Sequence, residues 1–222
     1  MSDFSHPTIS PWGYTYDAEI LPDFIDAATF NAYTGSKFNG DTRITANIPS
    51  ATAAIRNYCG WHVAPVLTCG VIYRVQDLRD AYVGGDLLVQ LPATFVSAVN
   101  KVVINAKYNA LTQAYDGDEL TDFYIDNATG ILRIYDAGAQ DRKSQIFVKY
   151  AAGYDLTNIK AIQELTSNLV THAVTNPYGV NSEAAGGVSV SYSSNWSGHA
   201  SATALTNDTR EVLDAYKIRG TY

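Results

Sequence analysis

The sequence predicts an α+β protein in which a helical core is interrupted by an antiparallel β segment and flanked by extended terminal arms. Apolar residues recur at helical spacing over residues 22–63 and again over 153–216, whereas between them, over 64–152, the period drops to two. Residues 1–21 are rich in Pro, Gly, Ser and aromatics without any period, and residues 217–222 trail off as a tail. The organisation expected is therefore an arm (1–21), a helical domain in two pieces (22–63 and 153–216), an inserted β domain (64–152) and a tail (217–222).

The arm contains Pro7, Pro11, Trp12, Tyr14 and Tyr16, aromatics that need a cover to be ordered. Pro22 and Asp23 open a helical segment in which Ala27, Phe30 and Tyr33 share a face and Gly35 is the stop. Ile44 and Ile48 suggest one more helical turn. Pro49, lacking an amide proton and crowding the preceding turn, is expected to end it, with a fresh helix from about Pro49 to Cys59. In that helix Ala51, Ala54, Ile55 and Tyr58 form a buried stripe, and Gly60 takes the left-handed position that closes it.

In the middle of the chain Val71, Tyr73 and Val75 alternate with Ile72 and Arg74, and Val102, Ile104, Ala106 and Tyr108 alternate with Val103, Asn105 and Lys107. Ile146, Val148 and Tyr150 do the same against Gln145, Phe147 and Lys149. Between two further strands, Asn127-Ala-Thr-Gly130 supplies the residues that tolerate positive φ in a tight hairpin. A helix is predicted over 155–176, with Ile159, Ile162, Leu165, Leu169 and Ala173 on one stripe and Pro177 beyond it. Val188, Val190 and Tyr192 alternate with serines, and Thr206 caps a last helix that buries Val212, Leu213 and Tyr216.

Composition narrows the function. With 222 residues, 46 % of them hydrophobic, the chain can bury roughly 70 % of its unfolded surface. Fifteen basic against 22 acidic residues give a net charge of −7, and no basic run exists, which argues against a surface that grips nucleic acid. Cys59 and Cys69 are the only cysteines and no apolar, basic-headed signal segment is seen, so free thiols in a reducing compartment are expected. The three Asn-x-Ser/Thr matches at Asn127, Asn195 and Asn207 are then chance, and no stretch approaches the roughly 20 apolar residues of a membrane-spanning helix.

Catalytic constellations are hard to find. Asp116, Asp118, Glu119, Asp122 and Asp126 form an acidic run, but Leu120 stands where a calcium loop needs an oxygen ligand. A solvated loop is the plainer reading, and a hydrolase using two of these carboxylates is a rival. His6, His62, His172 and His199 lack zinc spacing, and the nucleophile-elbow, dinucleotide and phosphate-loop motifs are absent. His62, beside Trp61, reads as a satisfied, half-buried histidine, and Cys59 at the carboxyl end of a helix as a small core residue. No catalytic residue, cofactor or metal is assigned. Sixteen tyrosines leave a second reading open, a Tyr/Trp-rich β binding module for carbohydrate or another protein.

Ala53-Ala-Ile-Arg-Asn-Tyr-Cys-Gly-Trp-His-Val63, then Val148-Lys-Tyr-Ala-Ala-Gly-Tyr154 before a long helix, then Val188-Ser-Val-Ser-Tyr192 and a closing Leu205-Thr with Val212, Leu213 and Tyr216 make a recognisable set. Together they resemble the head-to-tail connector proteins of tailed bacteriophages, also called adaptor or head completion proteins. The resemblance covers about 22–63 and 150–220. It implies a helical bundle core of the connector type and a non-enzymatic virion protein at the head-tail junction, assembled in the host cytoplasm. It further implies a homo-oligomeric, twelvefold ring that docks beneath the portal protein, receives a head-closure or tail-completion protein on its other face, and lets viral DNA pass without specific binding. Compact members are nearly all-helical, so 64–152 looks like an insertion.

The tail can be weighed energetically. Ordering each of residues 217–222 costs about 1–2 kcal/mol, whereas burying Ile218 and Tyr222 returns only about 1.5–3 kcal/mol apiece. The tail is expected to be disordered alone and to order against a partner. In the connector family the carboxyl-terminal segment engages the portal, which makes Tyr216, Lys217, Ile218, Arg219 and Tyr222 the candidate portal contacts.

Overall fold

A computed structural model of the chain describes residues 4–135, 144–175, 182–185, 188–191 and 205–218. The chain divides into two compact units. One comprises Met1–Leu21, Gly60–Asp155 and Ile218–Tyr222, the other Pro22–Cys59 and Leu156–Lys217.

The first unit is built of antiparallel strands. They are β1 (Pro7–Ile9), β2 (Thr15–Asp17), β3 (Leu67–Arg74), β4 (Tyr82–Val83), β5 (Asp86–Gln90), β6 (Val96–Asn109), β7 (Ala114–Leu120), β8 (Phe123–Asp126), β9 (Ile131–Ile134) and β10 (Gln145–Ala152). They form a six-stranded sheet in the order β1-β2-β3-β10-β6-β7 and a four-stranded sheet in the order β4-β5-β9-β8. In β10 three successive residues, Ile146, Phe147 and Val148, are buried, because this strand lies between β3 and β6 and is covered on both faces. Strand β9 shows the half-buried alternative, with Leu132 and Ile134 inside and Ile131 and Arg133 outside. Tyr73 Oη donates to Gln90 O at 2.6 Å, tying the large sheet to the small one, and burial pushes its phenol pKa up.

The β8–β9 connection is the tight hairpin its Asn-x-x-Gly spacing predicts. Gly130 has φ +72, and a Cβ there would lie 2.1 Å from Ala93 O, so only glycine fits. Asp126 closes the turn by accepting from Ala128 N and Thr129 Oγ1, bonds that hold its carboxyl below the ordinary value.

The second unit holds the helices α1 (Ala27–Tyr33), α2 (Arg43–Cys59), α3 (Lys160–Thr175) and α4 (Asn207–Leu213), and a hairpin of β11 (Ser182–Ala185) with β12 (Val188–Ser191). Asp26, not Pro22 or Asp23, caps α1 by accepting from Thr29 N at 2.7 Å. Helix α2 runs unbroken through Pro49, against the expected stop. Ile44 and Ile48 before the proline continue the stripe of Ala51, Thr52, Ile55, Arg56 and Cys59 after it, and burial of that common face outweighs one missing amide. Arg56 is buried with its guanidinium 4.7 Å from the Phe24 ring centroid and Nη2 donating to Pro22 O. Gln163 Nε2 donates to Phe24 O and Leu156 O, closing the same corner.

The expected helical bundle core with an inserted β domain and extended arms is therefore corrected. Among the described residues the fold is mostly antiparallel β, with ten strands in two sheets in the first unit and four helices in the second. The period-two pattern reaches further than expected. Tyr14 and Tyr16 of the supposed arm are buried, Thr15 and Tyr16 pair with Gly70 and Cys69, and Pro7 sits on the edge strand, where a missing amide proton is harmless.

Candidate functional site

The carboxyl-terminal segment begins at Thr206, whose Oγ1 accepts from Thr209 N at 3.2 Å and caps α4 as the sequence suggests. Leu213 is fully buried, whereas Val212 is largely exposed and Tyr216 half-buried. The chain then turns on Tyr216 N, which donates to Leu213 O at 2.9 Å. Tyr58, near the end of α2, holds this turn in two ways. Its hydroxyl donates to Asp214 Oδ1 at 2.6 Å, and Lys217 Nζ lies 4.8 Å from its ring centroid. The Asp214 hydrogen bond raises the Tyr58 phenol pKa, because ionisation would put two anions face to face.

Of the candidate portal contacts, Tyr216 and Lys217 thus lie at the end of a pinned turn, with Lys217 exposed. Ile218 is half-buried and approaches Gly60, where an added Cβ would lie 3.8 Å from its Cδ1. Arg219 and Tyr222 lie outside the described residues. Sequence reasoning missed the two residues that hold the segment in place, Tyr58 and Asp214. Tyr58 was assigned to the buried stripe of α2, and a partner 156 positions away leaves no local signal.

The remaining candidates do not converge on a catalytic centre. Asp116 accepts from Asn109 Nδ2, Asp118 from Asn105 Nδ2 and Asp126 from Thr129 Oγ1, each binding its own neighbour across a strand or turn. Among the described residues no group of three His, Cys, Asp or Glu side chains could hold a metal ion. His62 is fully buried rather than half-buried. The Tyr14 hydroxyl accepts from His62 N at 3.0 Å and donates to Nδ1 at 2.8 Å, while Nε2 donates to Ala152 O at 3.1 Å. Every polar atom of the residue is committed to structure. Burial pushes the thiols of Cys59 and Cys69 up to about 12, so neither is poised as a nucleophile. Trp61 is buried too and offers no face to a sugar. Among the described residues no helix is long and apolar enough to cross a membrane.

A cleft of about 500 Å³ opens in the helical unit, with Phe24, Ile25, Ile48 and Leu156 among its walls and Asp23 and Asp26 also on its lining. Thr29, Thr45 and Gln163 complete its polar lining.

Comparison with known proteins gives the remaining evidence. A search of curated proteins finds no match. The family model described as Head completion protein matches residues 23–218, a span that takes in all four helices and eight of the ten strands of the two sheets. The chain belongs to the head completion protein family, structural proteins of the bacteriophage head.

Proposed function

We propose that the chain is the head-to-tail adaptor of a tailed phage. It forms a homo-oligomeric ring, twelvefold like the connectors it resembles, docks beneath the portal at the head-tail junction, and offers its other face to a head-closure or tail-completion protein. The ring is assembled in the host cytoplasm and forms part of the channel through which DNA leaves. The observation that carries this reading is the family match over residues 23–218. The net charge of −7 supports it, since an acidic wall lacks the phosphate contacts that would hold DNA in place. The protein works by assembly and not by catalysis.

Portal contact is assigned to Tyr216, Lys217, Ile218, Arg219 and Tyr222. The pinned turn supports this, because Tyr58 and Asp214 fix where the last residues start and so reduce the entropy lost on docking. The test is the mass of the particle formed with and without purified portal, by light scattering, for the full chain and for a chain ending at Tyr216. A ring formed alone or on the portal, with portal binding lost on truncation, supports both assignments. A full chain that stays monomeric and ignores the portal removes the adaptor reading, and a truncated chain that binds the portal unchanged removes the tail assignment.

A further inference from the structure

Asn39 is the one asparagine of the sequence that a glycine follows. The carbonyl carbon of an asparagine side chain is open to attack by the backbone nitrogen of the next residue, an approach that a following side chain obstructs and glycine leaves clear. Asn39 and Gly40 both lie exposed in the loop between α1 and α2. Gly40 has φ +85, and a Cβ built on it would meet nothing within 4 Å. The loop is anchored on either side of this pair. Asn39 N donates to Ser36 O at 3.1 Å, Asp41 N donates to Phe38 O at 3.0 Å, and Asp41 Oδ1 accepts from Arg43 N at 3.0 Å where α2 begins. Between these anchors, among the described residues, neither the Asn39 side chain nor the Gly40 amide is engaged in a hydrogen bond. The side chain and the next peptide can therefore swing together without giving up a bond. The sequence offers the same chemistry at Asp116-Gly117, and there the structure blocks it. In the β6–β7 ribbon Asp116 pairs with Lys107 and its Oδ2 accepts from Asn109 Nδ2 at 2.8 Å, while a Cβ on Gly117 would lie 2.5 Å from Ile104 O.

We propose that Asn39-Gly40 is a site at which the chain modifies itself, with water as the only co-reactant. The Gly40 nitrogen forms a bond to Asn39 Cγ and gives up its proton, the bond from Cγ to the side-chain nitrogen breaks, and ammonia leaves, closing a succinimide ring. Water then opens the ring at either of its carbonyls, which leaves aspartate or isoaspartate at position 39. The balance is one asparagine and one water converted to one acid and one ammonia, with no change of oxidation state. Either product adds a negative charge two residues before Asp41, whose carboxylate already holds Arg43. The isoaspartate form also lengthens the main chain by one carbon, directly inside the turn that Phe38 O and Asp41 N close. The inference concerns the helical unit by itself and does not rest on the adaptor reading.

The test holds the folded, full-length chain in mildly alkaline buffer beside a synthetic peptide spanning residues 37–43. Both are sampled over time by peptide-mapping mass spectrometry and by labelling with an isoaspartate-specific methyltransferase. A mass gain of about 1 Da and the isoaspartate label are expected on the segment holding Asn39, before any other asparagine of the chain reacts. Because nothing in the fold ties down the reacting pair, the folded chain is expected to react within about tenfold of the peptide's rate. Asn39→Gln, whose extra methylene would require a larger ring, is expected to slow modification of the segment at least tenfold, about 1.4 kcal/mol in the barrier. Another asparagine reacting first, a folded chain slower than the peptide by more than about tenfold, or an Asn39→Gln chain modified there at the wild-type rate each overturn the proposal.

Discussion

Replacing Tyr14 by phenylalanine removes one oxygen and with it two buried hydrogen bonds, those to the backbone amide and to Nδ1 of His62. Both residues are buried, so water cannot take over either bond. A buried polar group left unsatisfied costs about 1–3 kcal/mol, and two groups on one residue relax together, so a loss of about 3 kcal/mol is expected. For a chain of this size that lowers the melting temperature by roughly 6–12 °C. The assay is thermal unfolding followed by circular dichroism, with urea unfolding at 25 °C as a second measure. A Tyr14→Phe chain that melts within about 1 °C of wild type would show that the hydroxyl is not what satisfies His62, and would refute the account of how residues 14–16 are held in the sheet.

Three further outcomes follow from the geometry. Gly130→Ala puts a Cβ 2.1 Å from Ala93 O at φ +72 and should cost about 1–3 kcal/mol or more, read as a lower urea midpoint. Tyr58→Phe should leave the global melt nearly unchanged, because Tyr58 and Asp214 are not deeply buried, but should raise hydrogen exchange and protease cleavage around residues 205–217. With both thiols pushed up to about 12, the thiolate fraction at pH 8 is on the order of one in ten thousand, so Cys59 and Cys69 should resist iodoacetamide in the native state and react once the chain is unfolded in urea. Their alkylation should quicken as pH rises towards 12, since deprotonation is what burial opposes.

Legibility in the sequence followed the range of the interactions. The stripe of Ile162, Leu169 and Ala173 in α3, the Thr206 cap and the Asn127–Gly130 turn depend on residues a few positions apart, and each could be read directly. Strand β2 could not, because it joins the sheet by pairing with residues some fifty positions later, as Thr15 does with Gly70, and β1 is then added on the outside of β2. That loss of long-range information turned a sheet-dominated fold into an expected helical bundle. Pro49 misled in the opposite sense, since a local rule was overridden by packing of a continuous face. In the candidate site Tyr216 and Lys217 could be named from the chain end, but their anchor on Tyr58 is a tertiary contact between α2 and the residues after α4.

Strand β7 closes one side of the large sheet, and its outer edge therefore presents backbone amides and carbonyls that could accept another chain's strand. Its exposed residues are Asp116, Gly117, Asp118 and Glu119. A second β7 brought alongside would face carboxylates with carboxylates, and Gly117, beside the ribbon's register shift, weakens the template further. This edge of the sheet is thus a poor template for a second copy of itself, and the same carboxylates that keep it soluble guard it against fibre-like growth.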